Sequence, residues 1–348
     1  MKHIGPLDGM RAIAATGVLV CHAGGASNLA GGYLGVDMFF VLSGYLITEI
    51  LASEHARDGR IATARFYLRR VLRLMPALAL LIAVYLVVAP LLWPEASRAD
   101  HSRDALITGL YLSDYAYAFW GMPYYLRHSW SLAAEEHFYL LWPLVLPLIL
   151  RSRDPARVLF ALYLAATAWR SANFALMDWH EVYFRFDTRV AGILLGGWLA
   201  LALRQRPGAL AISLGRDAPT FALATVIGLF IVVRWESLPG ALIAMPAMEW
   251  LTVLLIVAAL QQHENPANRA IRLLGSRPMV FVGTLSYGIY LWHMPISMLT
   301  KTALPWGPSV AVCFAASITM AWISWHTVEH LGRLAKERIA RPRALIEA

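Results

Sequence analysis

Of the 348 residues, 59% are hydrophobic and only 15% are charged, well short of the roughly 25% charged residues of an ordinary soluble domain. The net charge of +8 is spread over short basic clusters between apolar blocks, which excludes a nucleic-acid patch and fits the loops of a membrane protein. Most apolar blocks are close to the about 20 residues needed to cross a bilayer, so the predicted fold is an all-α, polytopic membrane helical bundle.

Taken in chain order, the predicted spans are 10–24, 34–52, 71–93, 132–150, 157–177, 187–203, 218–234, 241–261, 279–299 and 309–328. The first block lacks a convincing cleavage site and is read as a retained span. An eleventh stretch, 105–121, contains Asp114, several tyrosines and two glycines. If it is re-entrant or interfacial, one side of the membrane receives 53–73 with six arginines, 151–157, 204–217 and 262–278 with three each, and a tail from 329 with five Lys or Arg. The positive-inside rule makes that side cytoplasmic. About ten spans with both termini cytoplasmic are expected. The connections are short, and neither a repeat nor a soluble domain is visible. Residues 1–330 are read as the membrane domain and 331–348 as a short basic cytoplasmic tail. Cys21 and Cys313 lie inside apolar blocks and are read as packing residues, and no metal-ligand spacing is present.

Several residues do not belong in hydrocarbon. In "LDGMRAIAATGVLVCHAGG", Arg11 and His22 are eleven apart, about three turns, so they share a face at depths about 16 Å apart. Snorkelling to the two interfaces is the plain alternative. Asp37, early in "GGYLGVDMFFVLSGYLI", is expected near the depth of His22, where a carboxylate would fix the imidazole tautomer and raise its basicity; otherwise it is a helix N-terminal acid. In "RFYLRRVLRLMPAL", Arg69, Arg70 and Arg73 either anchor the third span or clamp phosphates with their guanidinium forks. In "HSWSLAAEEHFYLLWP", Glu135 or Glu136 is expected to turn inward, with His128 on the preceding loop. In "LSYGIYLWHMPI", His293 shares a face with Tyr290 and is expected to support the site from behind. His3 and Asp8, five apart in "HIGPLD", are set aside as a chance pairing. The chain has no P-loop, no GxSxG and no HExxH.

Together these stretches, in this order and over nearly the whole chain, resemble the acyltransferase 3 family of integral membrane O-acyltransferases. The spacing of Arg11 and His22 matches the family's first-helix pair, and Arg69, Arg70 and Arg73 match its RRxxR motif. The resemblance implies transfer of an acyl group, usually acetyl, from acyl-CoA as co-substrate to a hydroxyl, with no bound cofactor. Acceptors in the family are mostly glycans: surface polysaccharides, lipopolysaccharide O-antigen, peptidoglycan, nodulation oligosaccharides, and occasionally macrolides. It implies the bacterial inner membrane as location, with membrane lipid and a glycan or other hydroxyl acceptor as partners. Two departures stand out: Ala191 follows Arg189 where many relatives are acidic, and Glu329 lacks the proline of the family's Glu-x-Pro. Some relatives carry a C-terminal hydrolase-like domain, and a stand-alone form without it is expected here.

The expected mechanism docks the donor's phosphates on Arg69, Arg70 and Arg73, with Arg11 along the pantetheine path. His22, aided by Asp37 or Glu136, acts as base or relays the acyl group covalently. Glu135, His128, Arg189, Tyr290 and His293 support the site or meet the acceptor. A secondary transporter, or a translocator feeding a separate transferase, is the alternative reading. Repeated halves and paired Gly/Pro-broken helices, which a transporter would favour, are missing from the sequence.

Overall fold

A computed structural model describes residues 3–24, 29–205, 215, 217–262 and 267–340. Among these the regular structure is entirely helical. In chain order the α-helices are α1 (Gly5–Gly24), α2 (Gly35–Asp58), α3 (Thr63–Leu92), α4 (Arg98–Gly109), α5 (Ser113–Trp120), α6 (Trp130–Leu150), α7 (Pro155–Leu176), α8 (Trp179–Tyr183) and α9 (Phe186–Gln205). They continue as α10 (Ala218–Val232), α11 (Met245–Gln262), α12 (Arg269–Leu274), α13 (Arg277–Thr284), α14 (Ser286–Ala303), α15 (Trp306–His326) and α16 (Val328–Ala340).

Six helical stretches among the described residues are long and apolar enough to cross a bilayer: Ala30–Asp58, Thr63–Leu92, Arg127–Leu150, Trp179–Gln205, Gly240–Gln262 and Trp306–Lys336. The chain is thus a multi-pass membrane protein. The other four expected spans fall on α1, α7, α10 and α14, which are shorter or more polar, so the full ten are not reached on these criteria. The span expected over 279–299 breaks at Leu285, between α13 and α14.

The 105–121 stretch is not one helix. Tyr111, with φ of 54°, separates α4 of 12 residues from α5 of 8. At 1.5 Å per residue the longer covers about 18 Å, too little for a hydrocarbon core of about 30 Å. A capping box fixes the start of α4: Ser97 accepts from the Asp100 amide while Asp100 accepts from the Ser97 amide. The basic loop 204–217 lies mostly outside the described residues, as do residues 341–348. Residues 331–340 of the expected tail belong to α16, which starts at Val328 and packs along α3.

Glycines set the closest helix approaches, as in other membrane bundles where small residues let backbones meet. A Cβ on Gly44 of α2 would lie 1.9 Å from the Ile193 carbonyl oxygen of α9, and one on Gly196 would lie 2.0 Å from that of Val41. These reciprocal contacts join α2 and α9 at the centre of the bundle. Gly44→Val therefore lowers the stability of the detergent-solubilised protein by about 1–3 kcal/mol, the usual cost of overpacking. A thermal unfolding curve that matches the wild type would refute the contact.

Candidate active site

α1 presents its two polar residues to different surroundings. Near its start, Asp8 accepts from Arg11 Nη1 at 2.7 Å and lies 2.5 Å from His3 Nε2. The pairing set aside in the sequence therefore forms in space. All three residues line a cavity of about 500 Å³, bounded also by α2, α3, α6, α14 and α16. Arg70 stands over the Tyr139 ring, 3.7 Å from its centroid, and Arg73 joins it at the cavity wall. Arg69, expected beside them, is outside the lining. Glu135 is turned into the cavity, where its carboxylate accepts from Ser43 and Tyr139, both at 3.0 Å.

Tyr290 and Ser131 belong to the cavity lining, whereas His22, His128 and His293 do not. The Tyr290 hydroxyl donates to the His128 carbonyl at 3.0 Å and accepts from Ser131 at 2.6 Å. Beyond this closure three histidines meet, one each from α1, α14 and the turn before α6. The ring of His293 lies 5.1 Å from that of His22 and 5.3 Å from that of His128.

Their hydrogen bonds fix the tautomers. A carbonyl only accepts, so Nδ1–H of His293 donates to the Tyr290 carbonyl at 2.6 Å. In neutral His293, Nε2 then carries a lone pair and accepts from His22 Nδ1–H at 3.0 Å. His22 is left with Nε2 unprotonated and with no hydrogen-bond partner among the described residues. That is the state a general base requires. His128 donates through Nε2 to the Leu291 carbonyl at 3.0 Å, and its buried Nδ1 has no partner.

Neither carboxylate expected at His22 is there. Gly35 packs against Ala14 and Val18 of α1, so α2 enters the bundle lower than its position in the sequence suggests. Asp37 consequently sits roughly 12 Å below His22, at 1.5 Å per residue. Its Oδ1 accepts instead from Arg189 Nη2 at 2.9 Å, with both side chains 1% exposed or less. Glu136 stands 3.9 Å from Arg70, at the cavity end. The group beside His22 Nδ1 is instead Nε2 of His293, expected from the sequence to lie behind the site.

Arg189 thus has a definite place, over the Tyr183 ring at 4.6 Å from its centroid. The sequence reading missed a second buried pair, Arg170 to Glu249 at 2.6 Å, with exposures of 1% and 0%. A lone charge inside an apolar block, the criterion that singled out Arg11, would have found both. The sequence reading noted Asp114 but not its partner: the carboxylate is fully buried 3.0 Å from His137. Among the described residues no group of three or more His, Cys, Asp or Glu could hold a metal ion.

A histidine pair held by a backbone carbonyl, beside a cation-lined cavity, is set within a multi-pass helical membrane protein. The chain belongs to the acyltransferase 3 family, whose acyltransferase domain matches residues 4–328. It is 32% identical to the O-acetyltransferase OatA of Staphylococcus aureus over 94% of this chain and 57% of that protein. It is 30% identical to the peptidoglycan O-acetyltransferase OatA of Listeria monocytogenes, over 94% of this chain and 55% of the relative. A putative peptidoglycan O-acetyltransferase, YrhL of Bacillus subtilis, is 32% identical over 94% of this chain and 54% of its own. The chain thus spans little more than half the length of these curated relatives. No solved structure matches it significantly.

Proposed function

We propose that this protein is a membrane O-acyltransferase that moves an acetyl group from acetyl-CoA to a glycan hydroxyl, with His22 as general base. The observation that carries this reading is the chain of bonds from His22 through His293 to the Tyr290 carbonyl, which leaves His22 Nε2 as an oriented, unprotonated nitrogen. The names of the relatives favour acetyl as the group transferred and peptidoglycan as the acceptor. The cavity favours a donor with an anionic end and a long arm. The phosphates dock at the Arg70 and Arg73 end, which is cytoplasmic in this reading, as are both termini. The pantetheine arm passes Arg11 and reaches Tyr290.

The acceptor hydroxyl approaches from the His22 end. His22 Nε2 takes its proton, the oxygen attacks the thioester carbonyl, and the C–S bond breaks to release the CoA thiolate. His293 accepts the Nδ1–H hydrogen bond of the imidazolium so formed and holds the ring in place. Arg127 and Lys301 are close enough to act electrostatically on His22, and their positive charge complements the oxyanion of the tetrahedral intermediate.

The purified protein in detergent, given acetyl-CoA and soluble peptidoglycan fragments, should release free CoA only when the glycan is present, and the O-acetylated fragment should appear in equal amount. CoA release without acetylated glycan would reject direct transfer and favour hand-over of the acyl group to a separate transferase. If acetyl-CoA is neither bound nor consumed, the donor assignment fails.

A further inference from the structure

The cavity lining contains five cationic side chains, Arg11, Arg70, Arg73, Arg333 and Lys336, against three carboxylates, Asp8, Glu135 and Glu329. The carboxylates are engaged: Asp8 by Arg11 and His3, Glu135 by Ser43 and Tyr139, and Glu329 by Ser324 at 2.9 Å. Arg11 is thereby paired, and Arg70 faces Glu136, outside the lining, at 3.9 Å; Arg73, Arg333 and Lys336 remain without an ion pair in the lining. Arg333 and Lys336 belong to α16, past the end of the family match at residue 328 and outside the arginine cluster of α3.

Backbone contact holds α16 in place. A Cβ on Gly332 would lie 2.3 Å from the Leu72 carbonyl oxygen, so α16 and α3 touch directly beside Arg73. The next residue, Arg333, is fixed at one edge: its Nη2 donates to the Trp325 carbonyl at 2.8 Å, and its guanidinium covers the Trp325 ring at 3.9 Å. Its Nη1 is enclosed without an acceptor, and so is Nε of Arg70 on α3. Lys336, one turn on, is close enough to Arg69, Arg70 and Arg73 for their charges to repel it. Crowded cations and unpartnered guanidinium N–H groups on two facing helices are satisfied together by an anion with several oxygens.

We propose that α16 forms half of a phosphate site, with Arg333 and Lys336 closing on the phosphorylated nucleotide end of the donor from one side and Arg70 and Arg73 from the other. This rests on the acyl-CoA reading above. It adds two donor-binding residues, and it makes the last described helix part of the binding site.

The test is titration of coenzyme A by calorimetry into the full chain in nanodiscs of phosphatidylcholine. Lys336→Gln weakens binding about tenfold, and Arg333→Gln at least as much, in keeping with the loss of one charge-assisted hydrogen bond each. Arg333→Lys, which keeps the charge, recovers part of the affinity, and the dependence on salt is shallower in both glutamine variants. Wild-type affinity in Lys336→Gln and Arg333→Gln would overturn the proposal and leave the donor reading intact. Absence of coenzyme A binding in the wild type would overturn the donor reading and the proposal with it. A parallel set of nanodiscs containing phosphatidylglycerol separates a lipid headgroup from the nucleotide. If the anionic lipid abolishes coenzyme A binding in the wild type but not in Lys336→Gln, the occupant is the lipid and the proposal fails.

Discussion

His22→Ala eliminates acyl transfer, by about a thousandfold or more, while the affinity for coenzyme A stays at the wild-type value. General-base catalysis contributes about 10²–10⁴-fold, and His22 is on the far side of the Tyr290 closure from the cations that would hold the phosphates. Turnover above a tenth of wild type would remove His22 as the base. His293 gives a finer test, because its role is to accept one hydrogen bond. Gln at 293 can place an amide oxygen near the position of the lost Nε2 and accept from His22 Nδ1–H; Leu cannot. His293→Gln is therefore expected to retain more activity than His293→Leu, which falls about tenfold to a hundredfold with little change in KM. Equal activities in the two variants would show that His293 only fills space.

The second large effect is on stability. Arg170 and Glu249 form a fully buried pair, and Asp37 feels both of their charges as well as that of its own partner Arg189. Two positive and two negative side chains thus form one network inside the bundle. Removing one member leaves a charge without its counter-ion, which costs about 3–5 kcal/mol. Glu249→Leu should lower the unfolding temperature in detergent sharply, and Arg170→Met should do the same. The double variant, with both charges gone, should recover most of the loss, because an apolar pair of similar volume is often neutral or better. A double variant as unstable as the sum of the singles would mean that the two residues act independently. Such a result would put the network reading aside.

Much of this was legible in the sequence because a bilayer penalises misplaced polarity so heavily. Arg11 and His22 stood out against apolar neighbours; the first lines the cavity beside Asp8, and the second meets His293 of α14. Of Glu135 and Glu136, the first lines the cavity, and the motif order alone points to the family. What escaped was long-range. The depth of Asp37 depends on how a short helical turn lowers α2 along α1, and on the Gly35 contact with Ala14 and Val18. Local periodicity carries no information on either. The pairing of His22 with His293 spans 271 positions and arises from two helices meeting, so a lone histidine in "LWHMPI" could not be told from a packing residue. Glu249 and Arg170 were readable but were not weighed. The break at Tyr111 was partly visible, since the same stretch was already too polar to be a span.

The hydrogen-bonded closure of Tyr290, Ser131 and the His128 carbonyl has a consequence for the cell as well as for catalysis. A continuous water-filled path from Arg73 to His22 would be a leak, and each elementary charge crossing a membrane at 100 mV dissipates about 2.3 kcal/mol. In the proposed reading, with Tyr290 and Ser131 at the edge of the cavity, polar groups stand at two depths of the bundle without one open path between them. In the proposed reading the thioester end of the donor arm is uncharged, and it can reach the closure still bonded to the pantetheine sulfur while ions stay behind. In that reading the acetyl group leaves the sulfur only as the acceptor oxygen bonds to it, so transfer does not require an open pore.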